Sequence, residues 1–275
     1  MSGNAMTYII AEAGIAHGGK ASEAFKLVDA AFDAGADCVK FQLYHADAMV
    51  RDNGQRVLLK SCELAVEHYR ALKDYADDLG IDFLLSCFDL KAVDVAVGLG
   101  LAKIKVGSGE LTNHALLKHI GQHKRELILS TGMATMDDIF RGVGAFKDAG
   151  GVELSLLHCV SLYPTPTEHA NLRAMHTLRR NFFCPIGFSD HTASFDAMVA
   201  AVAIGAAIIE RHIMLDPFCI DAAVSLMPDG FRAYVATARR TEKMMGHGEK
   251  ILMPGEDEMQ VISRNRWHVP PDSEA

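Results

Sequence analysis

The chain has 275 residues, 49% of them apolar, and a formal net charge of −8 with no run rich in Lys or Arg. A chain of this length can bury a full core as one domain, and its charge argues against nucleic acid as a partner, because phosphate binding needs a basic face. No apolar stretch stays uncharged long enough to span a bilayer, and the six cysteines lack CxxC spacing, as expected of reduced thiols in a cytoplasmic protein.

Met1 to Ala5 reads as an appended segment ahead of Met6. From there the chain repeats strand, loop and helix. The first strand is expected at 8–14 and carries Glu12 at its end; a helix over 23–34 follows. The second, at 38–44, places Lys40 and Gln42 two apart and so on one face. A helix over 65–79 leads to a third strand at 82–88, with Ser86. The fourth, at 102–108, carries Lys103 and Lys105 and runs into Gly107-Ser108-Gly109-Glu110. Strands at 126–132 (with Ser130), 154–160, 185–190 (running into His191 through Ser189-Asp190) and 207–213 (with Glu210-Arg211-His212 near its end) complete eight units, with helices over 136–148 and 195–204 between them and a last helix over 231–245. Gly35, Gly80, Gly100, Gly150 and Gly205 stand where a helix must stop before the next strand. Eight such units predict a (β/α)8 TIM barrel. A doubly wound sheet is the alternative, but no GxGxxG follows the first strand. The barrel is expected over residues 6–246, and 247–275 as a short irregular tail.

In a parallel barrel, polar groups at the carboxyl ends of strands converge on one mouth. His191 and His212 there suggest one divalent metal held by neighbouring strands; a chance pair among thirteen histidines is the bland alternative. An ammonium within an apolar strand costs several kcal/mol unless it meets an anion. Lys40 and Lys105, with Ser108, Ser130 and Ser189, therefore describe a phosphate or carboxylate pocket, unless each lysine only pairs with a structural glutamate. Glu12 and Glu110 are the candidate acid/base groups.

Together these residues resemble a known family. Ile9-Ile10-Ala11-Glu12, Val39-Lys40-Phe41-Gln42, Lys105-Val106-Gly107-Ser108-Gly109-Glu110, Ser130-Thr131-Gly132-Met133, Leu157-His158-Cys159, Tyr163-Pro164-Thr165-Pro166, Ser189-Asp190-His191-Thr192 and Glu210-Arg211-His212 are similar to the N-acetylneuraminate (sialic acid) synthase family, from about Tyr8 to Gly248. The resemblance implies a TIM barrel that condenses phosphoenolpyruvate with the aldehyde of an N-acyl hexosamine, as a homodimer. It implies Mn2+ (or Mg2+) on His191 and His212, and phosphoenolpyruvate on Lys40, Lys105, Ser86, Ser108, Ser130 and Ser189. Glu12, Gln42, Glu110, Tyr163 and Asp221 would surround the sugar and the reacting carbons. Ala16 and Ser161 replace asparagines of the family pattern, the segment at Cys219-Ile220-Asp221 is shortened, and no C-terminal antifreeze-like (SAF) domain is expected. Arg264, Arg266, Trp267 and His268 in the tail are suited to covering a mouth. A DAHP or KDO-phosphate type of condensing enzyme is the rival; it would need a further basic cluster, for which Arg51, Arg56 and Lys60 are the candidates.

Overall fold

Eight strands pair in chain order and the last returns to the first. In the computed structural model, which describes residues 6–49 and 53–265, they are β1 (Tyr8–Gly14), β2 (Cys38–Leu43), β3 (Asp82–Cys87), β4 (Lys103–Val106), β5 (Glu126–Ser130), β6 (Leu154–His158), β7 (Ile186–Asp190) and β8 (Ile208–Ile213). All pair in parallel, and β1 meets β8 in the register Glu12 to His212, so the sheet closes into the expected TIM barrel. A two-residue strand, β9 (Ser225–Leu226), adds to the end of β8. Around the barrel lie α1 (Ala21–Asp33), α2 (Ala46–Met49), α3 (Asn53–Ser61), α4 (Val66–Leu79), α5 (Leu90–Gly98), α6 (His114–Gln122), α7 (Met136–Asp148), α8 (Ala174–Asn181), α9 (Asp196–Ala203) and α10 (Pro228–Met245).

Strand alternation sorts the core into two compartments. Ile9, Val39, Leu85, Leu127, Leu156 and Ile209 point outward into the layer shared with the helices. Ile10, Cys38, Leu84, Ile128, Leu157 and Ile208 point inward and plug the barrel. Burying each large side chain contributes roughly 1.5–3 kcal/mol. Above the plug, toward the carboxyl ends, the inward positions turn polar, and that change of side-chain chemistry defines the mouth. The helix-stopping glycines behave as expected: Gly35 and Gly80 have φ of +80° and +81°.

The tail is less irregular than expected. It forms α11 (Glu256–Asn265), an amphipathic turn of chain that stands almost wholly exposed. Arg51, Arg266, Trp267 and His268 lie outside the described residues.

Two buried polar features sit in this framework. In the helix–sheet layer Arg211, 2% exposed, donates from NH1 to the Thr192 and Asp190 carbonyls and pairs with the Asp190 carboxylate at 3.3 Å. Asp190 also accepts from the Tyr234 hydroxyl at 2.9 Å and from the Thr192 N–H at 2.9 Å. The second is His17, beyond β1, which packs on Phe41 with ring centroids 6.0 Å apart and leaves its Nε2 without a partner. Burial drives its pKa down to about 4, against a smaller opposing effect of the Gly14 carbonyl. Below the ordinary value of 6.5 the unfolded chain therefore binds a proton that the folded chain refuses. Stability is then present above pH 6.5 and is lost as pH falls through about 4. The loss is at most about 3 kcal/mol. Urea unfolding of His17→Phe should show a shallower decline between pH 7 and pH 4.5 than the parent; equal slopes would assign the decline to other groups.

Candidate active site at the carboxyl ends of the strands

Register brings the polar strand ends together. Glu12 lies opposite both Lys40 and His212, Gln42 opposite Ser86, Ser86 opposite Lys105, and Ser189 opposite Glu210. They line a cavity of about 370 Å3 at the mouth, together with Ser108, Ser130, Tyr163, His191 and Asp221. A larger cleft of about 620 Å3 opens at the amino-terminal end between β5, β6 and β7, beside Phe183 and Lys147. It has no converging set of buried charges, so the mouth is the better candidate.

The floor is a charged cluster almost closed to solvent. Lys40 forms an ion pair with Glu12, donates to Ser86 Oγ at 2.6 Å and lies 3.6 Å from Glu210. Lys105 donates to Ser130 Oγ at 2.7 Å and is also 3.6 Å from Glu210, which accepts from Ser189 Oγ at 3.0 Å. Gln42 donates to the other Glu12 oxygen at 3.1 Å. One oxygen of Glu210 (Oε2) has no hydrogen-bond partner. Two ammoniums thus face two carboxylates, and the cluster is close to neutral in charge.

The two carboxylates are driven apart. Burial raises the Glu12 pKa, and the opposing pull of Lys40 does not cancel it. Burial also acts on Glu210, but Lys105 and Lys40 outweigh it and hold the group down at about 2. Glu210 is a fixed anion, whereas Glu12 can exchange a proton. Burial lowers the Lys105 pKa, while at Lys40 the two glutamates overcome burial and raise it.

The histidines stand beside this floor with ring centroids 5.5 Å apart. Burial lowers both pKa values, and at His212 the neighbouring His191 lowers it further, so both rings are neutral with lone pairs to offer. His191 Nδ1 lies 3.1 Å from the Val160 carbonyl, an arrangement that leaves Nε2 for a ligand. Tyr163 covers His191 at 4.3 Å between centroids, and Asp221 approaches His212 at 3.8 Å. Ser108 Oγ accepts from the Gly132 N–H at 2.9 Å and touches Cys159 Sγ at 3.0 Å. A Cβ at Gly132 would meet Ser161 Oγ at 2.4 Å, Cys159 Sγ at 2.8 Å and Ser108 Oγ at 2.9 Å, so any larger residue must displace these side chains.

Of the residues expected from the sequence, Glu12, Lys40, Gln42, Ser86, Lys105, Ser108, Ser130, Tyr163, Ser189, His191, His212 and Asp221 all reach the cavity. Glu110 is not among its lining residues; its carboxylate accepts from Asn113 Nδ2 at 2.8 Å on the loop after β4. Lys103 shares a face with Lys105 but lies at the opposite end of the strand, paired with Glu126 at 3.2 Å. Lys60 turns to Glu63 and Asp47. Sequence reasoning passed over Glu210 as a site residue, although its two-residue spacing from His212 on a strand already placed both on the inner face.

A family model described as NeuB family matches residues 27–250. The chain is 41% identical over 261 residues to an uncharacterised protein of Methanocaldococcus jannaschii, covering 94% of this chain and 77% of that one. It is 36% identical over 281 residues to the N,N'-diacetyllegionaminic acid synthase of Legionella pneumophila, covering 94% and 78%. Among solved structures, the N-acetylneuraminic acid synthetase of Leptospira borgpetersenii, in complex with citrate, superposes with a TM-score of 0.88 at 34% identity, over 96% of this chain and 93% of that one.

Proposed function

Given that the chain belongs to the NeuB family and is an enzyme of its phosphoenolpyruvate-dependent condensing class, we propose that it joins phosphoenolpyruvate to the aldehyde of an unphosphorylated N-acyl hexosamine. A nonulosonic acid and phosphate are the products. The observation that carries this reading is the neutral floor cluster, two lysines against two glutamates, beside a pair of neutral imidazoles.

The residues fit a divalent cation. Two neutral rings offer lone pairs, and one ring is oriented through its other nitrogen by a carbonyl. A floor without net charge also has no surplus with which to hold a highly charged anion, so a cation and phosphoenolpyruvate bind best together. An ion such as Mn2+ or Mg2+ held by His191 and His212 would act as a Lewis acid toward the aldehyde oxygen.

The chain's own groups supply the rest. Lys105, Lys40, Ser86, Ser108, Ser130 and Ser189 hold the phosphate and carboxylate of phosphoenolpyruvate. Gln42, Tyr163 and Asp221 position the sugar so that its aldehyde carbon meets C3 of phosphoenolpyruvate. The new carbon–carbon bond leaves C2 electron-poor; water adds there, and the C2–O bond to phosphate breaks. Glu12, raised in pKa by burial, is the group that exchanges the proton of that water, while Glu210 stays ionised and fixes the lysines. Glu110, outside the cavity, is left a part at the rim of the sugar site.

Lys40 and Lys105 are the Lys/Arg residues among the described lining residues, and both are committed to the floor. This favours an acceptor without a phosphate over the phosphorylated sugars of the DAHP and KDO-phosphate type. Residues 6–246 form the catalytic unit in this reading and 247–275 an appended arm. Met259, Val261 and Ile262, all about half exposed on α11, suit contact with a second copy in a homodimer.

The deciding experiment is phosphate release from phosphoenolpyruvate by the pure protein with Mn2+, across N-acyl hexosamines, plain aldoses and phosphorylated aldoses. Release with an unphosphorylated acyl hexosamine supports the proposal; release only with phosphorylated aldoses overturns it. A narrower test concerns the anion pocket. Lys105→Ala should weaken phosphoenolpyruvate binding by roughly 2–5 kcal/mol, the range for removing one partner of a buried charge contact. Calorimetry giving the parent affinity would return Lys105 to a structural role.

A further inference from the structure

A second set of metal-type side chains lies in the outer helical layer, away from the mouth. His119 lies on α6 and His123 is its C-cap, four residues on and still in helical backbone, so the two share one face. Asp94 of the neighbouring α5 meets them. Its Oδ1 is 2.7 Å from His119 Nε2 and 3.6 Å from His123 Nε2, and the two rings stand perpendicular with centroids 4.8 Å apart. All three ligand-type atoms lie within 4.8 Å of one another, which no other trio of His, Cys, Asp or Glu achieves among the described residues.

We propose that Asp94, His119 and His123 form a second metal site, selective for Zn2+ and similar late transition ions, that clasps α5 to α6. Two imidazoles and one carboxylate are a donor set of Zn2+ sites, with water completing the coordination. Along the first-row divalent series, a site of given donors binds late ions such as Zn2+ more tightly than Mn2+. Position adds to the donor chemistry. His123 caps the carboxyl end of α6, where unpaired carbonyls give the helix its negative pole, a favourable place for a cation. The side chains are accessible, at 58% exposure for Asp94, 25% for His119 and 33% for His123, so an ion can enter without disturbing the core. Because α6 ends at the amino-terminal side of the barrel, the clasp is remote from phosphoenolpyruvate chemistry. It acts by tying two helices together, and an ion bound only to the folded chain raises its stability by mass action.

The test uses the full chain without a histidine tag. In His191→Ala/His212→Ala, which lacks the mouth pair, titration calorimetry with Zn2+ should show one equivalent bound. Adding Asp94→Asn or His119→Ala should weaken that binding at least tenfold, and Zn2+ should raise the melting temperature only where the trio is intact. In the parent chain the same two substitutions should remove one equivalent of Zn2+ and leave phosphate release from phosphoenolpyruvate unchanged, a comparison that stands even where the background variant folds poorly. No stoichiometric binding without the mouth pair, or binding indifferent to both substitutions, would reduce the trio to an Asp–His hydrogen-bonded pair and overturn the proposal.

Discussion

His212→Ala should bring phosphoenolpyruvate turnover down at least about a thousandfold, because a Lewis acid at a reacting oxygen is worth several kcal/mol and each 1.4 kcal/mol is a factor of ten. The imidazole is buried and neutral, sits opposite Glu12 across the β1–β8 seam, and has its ring centroid 5.5 Å from that of His191. Removing it leaves one histidine and the approaching Asp221, too few donors to keep the proposed ion bound through turnover. The core on the outer faces of the strands is untouched, so far-ultraviolet circular dichroism should match the parent. Mn2+ binding followed by electron paramagnetic resonance should be lost at the mouth, and His191→Ala should behave alike. A variant that keeps near-parental turnover with Mn2+ would remove the histidine pair from the chemistry, whatever its effect on the fold.

Arg211→Ala should be the most damaging single change to stability, at about 3–5 kcal/mol, the usual cost of breaking a buried ion pair and stranding its partner. Arg211 bridges the ends of β7 and β8 through the Asp190 and Thr192 carbonyls, pairs with a fully buried Asp190, and stacks 5.7 Å from the Tyr234 ring on α10. For a domain of this size the melting temperature should fall by roughly 10 °C. Asp190→Asn/Arg211→Met should recover part of the loss, since replacing both partners removes the stranded charge. A melting point within about 2 °C of the parent for Arg211→Ala would show that the pair contributes little. Asp190 and Arg211 adjoin His191 and His212 in sequence on the opposite face of each strand, so the same network secures the ends that carry the imidazoles.

Much of this was legible because strand geometry has a period of two. Lys40 with Gln42 could be placed on one strand face from spacing alone, and five helix-stopping glycines marked where their helices end. What spacing left undecided was height along the barrel. Lys103 and Lys105 share a face, yet the first reaches Glu126 at the amino-terminal end and the second reaches Ser130 at the mouth. Glu110, read as an acid/base candidate from its place after a strand, follows the chain into a turn, where it accepts from Asn113 and does not line the cavity. Glu210 was hidden for the opposite reason: in an apolar run a carboxylate reads as a salt-bridge partner, and only the convergence of two lysines on it reveals a fixed counter-charge.

The sequence by itself determined the repeating unit and the residue types at the strand ends, because these depend on local periodicity and turn chemistry. Only the tertiary structure decided which of those ends meet. Closure of β1 on β8 sets Glu12 beside His212 from opposite ends of the chain, and β2 brings Lys40 to the same point. There, in a floor almost closed to solvent, the separate side chains acquire the shifted pKa values and the near-neutral charge of the cluster.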